Sequence, residues 1–143
     1  IKETANKVAV MENGTIIERG SLLEIFTNPQ KPLTKDFINT ATNLDEALVK
    51  VNELLTTQPL ADDEELIKIS YVGADTAQPL LSTIYADFDV TTNILYSNME
   101  ILTQTPVGLA VAIFKGTVAN RKAAKASFSD HGVVITELQG GTN

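Results

Sequence analysis

The sequence predicts an α+β fold for the second half of the chain, and three observations lead to it. Runs of β-branched residues alternate with stretches of helically spaced apolar residues, and turn residues such as Gly73 separate them. The predicted elements occupy residues 64–72 (strand), 76–88 (helix), 90–102 (strand), 109–114 (strand), 117–129 (helix) and 133–138 (strand). The order β-α-β-β-α-β is that of the split-βαβ, ferredoxin-like arrangement. Right-handed crossovers then put both helices on one face of a four-stranded antiparallel sheet.

Alternation along the strands assigns each residue to one of the two sheet faces. The residues expected to meet the two helices are Ile67, Ile69 and Tyr71 of the first strand and Leu109, Val111 and Ile113 of the third. The face without helices would carry Ala110, Ala112, Phe114, Asn93, Leu95 and Met99. A contiguous open apolar face usually marks a partner or ligand site. We therefore expect a homodimer through this face or the neighbouring sheet edge.

The helices and turns of this unit have their own signals. In the first helix the inner stripe is Leu80, Leu81, Ile84 and Phe88, with Pro79 in the first turn. In the second helix Ala123, Ala124 and Phe128 should face inward, while Arg121, Lys122 and Lys125 point to water. The turn between the middle strands is predicted at Pro106-Val107-Gly108, and the acidic run 62–65 as a solvated strand entry.

The first forty residues predict a hairpin and short helices. Asn13-Gly14 provides the positive φ of a tight turn between strands 8–11 and 15–20. Ser21 and Glu24 have capping-box spacing, and Pro32 can begin a second helix. A connector helix follows, and its apolar stripe is Leu44, Leu48, Val51 and Leu55. This stripe can pack on its own domain, which we favour, or pair with a copy of itself.

Charge and composition divide the chain and exclude several functions. Residues 1–40 hold five bases and five acids, so the excess of 18 acids over 11 bases arises later. An acidic domain without a basic, aromatic stripe disfavours nucleic acid as a partner. The lone His131 and the absence of cysteine leave almost no metal ligands. We expect no enzymatic activity, no metal site and no cofactor in this chain.

The residues of 89–102 are the candidates for binding. The Asn93 amide can donate and accept hydrogen bonds, which suits the carboxylate and ammonium of an amino acid. Leu95 and Met99 offer apolar surface to an unbranched side chain, and strand position adds Asn98 to the site. On residues alone, the alternative for Asn93 is a structural hydrogen bond to a neighbouring turn.

Residues 6–20 are followed by Glu24-Ile25-Phe26 and by Asn28-Pro29. This stretch resembles the last part of an ABC-transporter ATPase domain, and the match covers residues 1 to about 38. In that family the phosphate loop, the signature motif and the acidic Mg²⁺ site lie further upstream, and none is in this sequence. We therefore expect the chain to be part of a longer polypeptide, whose ATPase domain would bind ATP and Mg²⁺.

A second resemblance, to the NIL domain, is carried by Thr92-Asn93-Ile94-Leu95. The surrounding residues that match are Tyr71-Val72-Gly73, Pro79-Leu80-Leu81-Ser82, Pro106-Val107-Gly108 and Phe114-Lys115-Gly116. This domain lies at the C-terminus of ATPase subunits of methionine-uptake ABC transporters. The two resemblances together give three regions: 1–40, an ATPase-domain remnant; 41–60, a connector helix and linker; and 61–143, a NIL or ACT-like regulatory domain.

The resemblance implies a regulatory function. Domains of this family dimerise and bind methionine when the cytoplasm is replete, which favours the inactive transporter. It implies L-methionine or a similar amino acid as ligand, a transmembrane permease as partner through the parent chain, and a location on the cytoplasmic face of the membrane. Asn93 corresponds to the motif asparagine. The alternative is a structural dimerisation module that binds no ligand.

Overall fold

The computed structural model describes residues 2–4, 7–73 and 78–140, apart from the side chains of residues 2–4 and 78–80. The elements are β1 (Lys2–Thr4), β2 (Lys7–Glu12), β3 (Thr15–Ser21), α1 (Leu22–Thr27), α2 (Pro32–Thr42), α3 (Leu44–Thr57), β4 (Glu64–Val72), α4 (Gln78–Phe88), β5 (Thr91–Leu102), β6 (Thr105–Lys115), α5 (Val118–Asp130) and β7 (Val134–Gly140). The predicted helix start at Thr76 lies outside the described residues. The predicted inward position of Leu80 concerns a side chain that is also outside the described part.

The fold prediction is confirmed. Strands β4 to β7 form one sheet in the order β5-β6-β4-β7, and every neighbouring pair is antiparallel. Along the chain, the elements β4, α4, β5, β6, α5 and β7 follow the predicted β-α-β-β-α-β order. Strands β5 and β7 are the edges of this sheet, and β4 and β6 are its centre. A separate three-stranded sheet contains β1, β2 and β3.

One face of the larger sheet, here called the α4/α5 face, packs against α4 and α5. Its core contains Ile67 and Ile69, as predicted, with Tyr71 packed beside them. From β6, however, the buried members are Ala110, Ala112 and Phe114, which the sequence places on the open face. The assignment was therefore wrong by one residue along β6. Because β6 is buried on both faces, it is apolar from Pro106 to Phe114, and alternation alone cannot distinguish the faces.

The small residues of β6 are explained by close packing on the α4/α5 face. A side chain at Gly108 would come within 2.3 Å of the Tyr71 ring, which lies across this glycine. Gly108 is therefore inside β6 and not in a turn, contrary to the prediction. The turn is formed instead by Thr103 and Gln104, both with positive φ, between β5 and β6. Phe114 stacks on Phe128 of α5 with 5.9 Å between the ring centroids.

The opposite face, here called the α1–α3 face, is also covered, which overturns the expectation of an open face. Phe26 of α1 and Ile38 of α2 pack in one cluster with Val107 and Leu109 of β6. A second cluster joins α3 to the sheet through Val51, Leu55, Leu66 and Val111. The connector-helix stripe packs on its own chain, as favoured: Val51 and Leu55 are buried, and Leu44 and Leu48 are partly buried.

Helix α5 carries a second correction, because Arg121 is buried and not solvated. Its side chain is 2% exposed, and its Nη1 lies 3.3 Å from Oε1 of Glu65, which is fully buried. Lys125 Nζ lies 2.6 Å from the same oxygen and 2.6 Å from Oε1 of Glu137. The acidic run 62–65 therefore ends in a buried carboxylate. Ala124 and Phe128 are buried as predicted, but Ala123 is exposed.

The first part of the chain confirms the hairpin and its cap. Asn13 and Gly14 have φ of 52° and 81° between β2 and β3. Ser21 Oγ accepts a hydrogen bond from the Glu24 backbone N–H at 3.1 Å, which caps α1. Asn43, in the left-handed region, separates α2 from α3.

The entry to α2 is held by Glu18. Its carboxylate accepts hydrogen bonds from the backbone N–H groups of Gln30 at 2.8 Å and Lys31 at 3.0 Å. Slight burial raises the pKa of Glu18, but the nearby Thr34 hydroxyl and the hydrogen bonds from these backbone groups outweigh it and hold the pKa below its usual value. The hairpin is thereby tied to the turn that begins α2.

Candidate functional site

The candidate site is built on β5, a long strand at the edge of the sheet. β5 spans Thr91–Leu102 and pairs with β6; among the described strands no other pairs with it. An edge strand has unpaired backbone N–H and C=O groups along its free side. These groups, together with the side chains at that edge, are available to a ligand or to another strand.

A register shift interrupts β5 between Ile94 and Tyr96. The extra residue is Leu95, and both Leu95 and Tyr96 pack in the cluster formed with α3. A bulge re-aims side chains and is often found beside functional sites. Here it brings two neighbouring side chains to the α1–α3 face, where regular alternation would have brought one.

The bulge separates the four predicted site residues. Asn93 lies opposite Ile113, and Asn98 lies opposite Leu109, so both belong with Leu95 to the α1–α3 face. Met99 lies opposite Gly108 and belongs to the other face, where it is 61% exposed. The predicted period of two from Asn93 to Met99 is therefore wrong, because the extra residue at Leu95 changes the phase of the strand.

Asn93 and Asn98 have contrasting surroundings. Asn93 is exposed, and its side chain makes no hydrogen bond to the residues of 7–73 and 78–140. Asn98 faces the interior beside Leu109, and its Oδ1 is buried without a hydrogen-bond partner in the described part of the chain. The Asn93 amide is therefore available to an added ligand, and the Asn98 oxygen still lacks a donor.

A groove lies between α3 and this part of β5. Its volume is about 210 Å³, and its lining residues are Ala47, Lys50, Val51, Leu54, Leu95 and Tyr96. The sequence prediction named Leu95 but missed Lys50, Leu54 and Tyr96. The spacing of Ala47, Lys50 and Leu54 on one helical face was visible, but the bulge that turns Tyr96 toward that helix has no clear sequence signal.

Tyr96 connects β5 to the joint between two helices. Its hydroxyl donates a hydrogen bond to the backbone carbonyl of Thr42, the last residue of α2. Asn43 follows in the left-handed conformation, and α3 begins at the next residue. The strand that carries Asn93 is therefore bonded directly to the segment that links α2 with α3.

The other side of β5 exposes an apolar strip. Ile94, Met99 and Ile101 are 39%, 61% and 67% exposed, and their partners in β6 place all three on the α4/α5 face. The described residues of α4 and α5 leave this outer part of the strand exposed. The strip and the free backbone edge lie on the same strand.

Other chemical candidates do not assemble into a site. His131 caps α5, is exposed, and its Nδ1 lies 2.8 Å from the Ser127 carbonyl oxygen. Across the described ranges no three His, Cys, Asp or Glu side chains come together to hold a metal ion. Larger grooves of about 560 Å³ along the β2–β3 hairpin and about 680 Å³ along β7 contain none of the predicted residues. No described helix is long and apolar enough to cross a membrane.

Comparison with known proteins gives consistent matches. The chain is 45% identical over 140 residues to the methionine import ATP-binding protein MetN of Streptococcus pneumoniae. The aligned region is 98% of this chain and 40% of that protein. The corresponding protein of Streptococcus pyogenes is 44% identical over 141 residues, which are 99% of this chain and 40% of that protein. The chain thus spans about 40% of the length of these relatives.

A solved structure shares the fold. The C-terminal domain of an ABC transporter ATP-binding protein from Enterococcus faecalis superposes with a TM-score of 0.50 at 22% identity, covering 62% of this chain and 94% of that one. The family model of the NIL domain matches residues 65–137, the span from the start of β4 into β7. Both resemblances noted in the sequence are thereby confirmed. The chain belongs to the NIL domain family.

Proposed function

We propose that this chain is the regulatory part of an ABC importer ATPase subunit and that it binds an amino acid, L-methionine, at β5. The relatives that match nearly the whole chain are methionine import ATP-binding proteins, which supports both the transporter and the ligand class. The observation that carries the proposal is Asn93: the motif asparagine is exposed on an edge strand, and its amide makes no hydrogen bond within the described residues.

The chemistry of the edge suits an amino acid. The Asn93 amide can donate to a carboxylate and accept from an ammonium, and the free backbone groups of β5 add further donors and acceptors. Leu95 lies on the same face and provides apolar contact for the ligand side chain. Met99 lies on the opposite face of the same edge, so it reaches the ligand only from a second copy or around the edge. Asn98 is partly buried, and its Oδ1 has no hydrogen-bond donor within the described residues, so it can accept a hydrogen bond from the ligand.

Two copies are proposed to pair through β5. Helices cover most of the α1–α3 face, which leaves the free edge of β5 as the remaining predicted interface. The exposed Ile94, Met99 and Ile101 lie beside that edge and would be buried by a second chain. Pairing of two edge strands satisfies the open backbone groups of both. The ligand would then be held between two subunits.

Regulation follows from a difference in affinity. If the ligand binds one arrangement of the paired domains more tightly than the other, it shifts their populations by that difference. In the complete subunit the favoured arrangement would keep the ATPase domains apart and inhibit transport. ATP and Mg²⁺ belong to the upstream ATPase domain, the permease is the membrane partner, and the complex lies at the cytoplasmic face of the membrane.

Calorimetric titration of the chain with L-methionine tests the proposal, with D-methionine and L-leucine as comparisons. We expect saturable heat with L-methionine and weaker binding of L-leucine, because the branched side chain fits an unbranched subsite less well. No heat with any amino acid on a folded dimer would contradict ligand binding.

The alternative function is a structural dimerisation module, and the exposed apolar strip of β5 is the observation that favours it. Light scattering at a protein concentration of tens of micromolar measures whether the chain is a monomer or a dimer, and so helps to separate the two functions. A dimer that binds no amino acid would support the structural module. A monomer at that concentration would contradict pairing in both accounts.

A further inference from the structure

We propose that the groove between α3 and β5 is the subsite for the ligand side chain, so that the connector helix forms one wall of the amino-acid site. This inference rests on the proposed function and extends it. The family match covers residues 65–137, whereas α3 spans Leu44–Thr57 and lies outside it. The site would therefore include residues that the family match does not contain.

The shape and lining of the groove support a small apolar group. Ala47, Lys50, Val51 and Leu54 have the spacing i, i+3, i+4, i+7 and so form one face of α3. Leu95 and Tyr96 form the opposite wall, because the bulge in β5 turns both toward the helix. Sites for drug-sized ligands begin at roughly 300 Å³. A groove of about 210 Å³ is suited to a smaller ligand, such as a single amino acid.

Asn93, the polar part of the proposed site, lies close along β5 to the groove residue Leu95. Asn93 precedes Leu95 by two residues on the same face, which corresponds to about 7 Å along a strand. The residue opposite Asn93 is Ile113, which packs in the cluster that contains Leu55. Asn93 does not line the groove itself but lies on the same face of the sheet, toward the N-terminal end of β5. A ligand held by Asn93 can extend its side chain between Leu95 and Leu54.

Lys50 gives the groove a charge that complements a carboxylate. Its Nζ lies 3.8 Å from Oε1 of Glu46, and the two side chains are 75% and 71% exposed. An exposed pair of this kind contributes little stability, so the ammonium can exchange its partner at low cost. The rim therefore carries an exposed cation, while the wall is apolar. This combination fits an α-amino acid with an unbranched apolar side chain.

A ligand in the groove would be connected through α3 to α2, which precedes it in the chain. A side chain between Leu54 and Leu95 contacts α3 and β5 at once. The N-terminal end of α3 is already tied to β5, since the Tyr96 hydroxyl donates to the Thr42 carbonyl. The ligand would add a second attachment further along the helix. Binding would thereby hold α3, and with it the end of α2, in one position relative to the sheet.

The test is calorimetry of the full chain with L-methionine and with L-norleucine, its thioether-free analogue. Leu54→Ser should weaken both ligands by about tenfold, because an apolar contact is lost. Val49→Ser is the matched control on the same helix: Val49 is 58% exposed and does not line the groove, so affinity should stay within about twofold. Lys50→Gln should also weaken binding, whereas Lys35→Gln on α2 should not.

The outcomes distinguish the groove from the proposed function itself. Loss of binding in Asn93→Ala with unchanged affinity in Leu54→Ser and Lys50→Gln would overturn the groove and leave the proposed function standing. Absence of binding to the unaltered chain would overturn both. If Leu54→Ser does not fold, NMR of the unaltered chain still tests the groove. Methionine should then shift the amide signals of Lys50 and Leu54 together with that of Asn93. A shift at Asn93 alone would overturn the groove.

Discussion

The two faces of the larger sheet are both buried but are built differently. On the α4/α5 face, Phe114 stacks on Phe128, and the buried Glu65 carboxylate lies against Arg121 and Lys125. On the α1–α3 face, three helices cover the sheet through smaller clusters, and a groove remains open beside β5. The α1–α3 face also contains a half-buried lysine, Lys68, opposite Val111. The difference suggests a division of tasks: the first face stabilises the domain, and the second can respond to a ligand.

Connectivity explains why the second face can be the responsive one. Helices α4 and α5 are crossovers between strands of the sheet, so they cannot leave it without breaking the fold. Helices α1, α2 and α3 precede β4 and are attached to the sheet at one end only. Segments with few buried contacts open at lower free energy than the central core. The following predictions test this contrast, starting with the largest effect.

Truncation of an aromatic side chain should cost more on the α4/α5 face. We expect Phe128→Ala to lower the free energy of unfolding by about 3–5 kcal/mol, because a fully buried ring leaves a cavity. Phe26→Ala should cost about 2 kcal/mol, since the six-residue α1 can separate locally and limit the loss. Phe37→Ala, at a side chain 41% exposed, is the control. Urea denaturation provides the measurement, and equal costs for Phe128 and Phe26 would contradict the contrast.

The buried charge cluster gives the second prediction. Glu65→Gln should destabilise by about 3 kcal/mol, because Arg121 would keep its charge in the interior without its carboxylate. Glu46→Gln removes an ion pair of two exposed side chains and should cost under about 0.5 kcal/mol. Thermal unfolding of the two variants compares them directly. Similar melting temperatures would show that the buried cluster is not a stabilising feature of the α4/α5 face.

Tyr96→Phe tests the link between β5 and the α2–α3 joint. Loss of the hydrogen bond to the Thr42 carbonyl should cost about 1 kcal/mol. The effect should be local, so hydrogen exchange should accelerate at Asn43 and Ala47 and remain unchanged in α5. Tyr85→Phe, where the side chain is 61% exposed, is the matched control. Uniform acceleration throughout the domain would mean that the α1–α3 face does not open separately.

Lys68 gives the smallest predicted effect and a dependence on pH. It lies on the α1–α3 face opposite Val111 and Thr136, and within the described chain no carboxylate forms an ion pair with it. Burial lowers the pKa of Lys68 below its usual value of 10.5. Because the folded-state pKa of the lysine is lower than its unfolded-state pKa, the charged side chain lowers the free energy of unfolding at every pH below the folded-state pKa. This destabilisation disappears as the pH rises from the folded-state pKa to the unfolded-state pKa.

Lys68→Met should therefore be slightly more stable than the unaltered chain at pH 7. The difference should narrow as the pH approaches 10, because the lysine loses its charge in the folded state. Denaturation midpoints measured from pH 6 to pH 10 check this. A variant that is less stable at neutral pH would indicate that the ammonium has a favourable partner.

The sequence predicted the order of elements well because local signals mark their ends. Asn13-Gly14 and the Ser21 cap act over a few residues and were identified correctly. The faces of β6 were assigned wrongly because both faces are buried and the strand is apolar from Pro106 to Phe114. The burial of Arg121 was missed because its partner, Glu65, is distant in the chain. Long-range pairing of this kind leaves no periodic pattern.

The candidate site was predicted in part for the same reasons. Asn93 and Leu95 belong to one face, as expected, because the strand is regular up to that point. The phase of Met99 and the position of Tyr96 depend on one extra residue, and neither propensity nor spacing identifies a bulge. The wall contributed by α3 could not be expected, since the same apolar stripe is equally suited to ordinary packing.

The central claim, that Asn93 on β5 binds an amino acid, is tested most directly by measuring methionine affinity and melting temperature together in Asn93→Ala. Because the Asn93 side chain is exposed and makes no hydrogen bond within the described residues, the account predicts an unchanged melting temperature and a loss of affinity of at least about tenfold. A lowered melting temperature with unchanged affinity would contradict the claim and assign Asn93 a structural role.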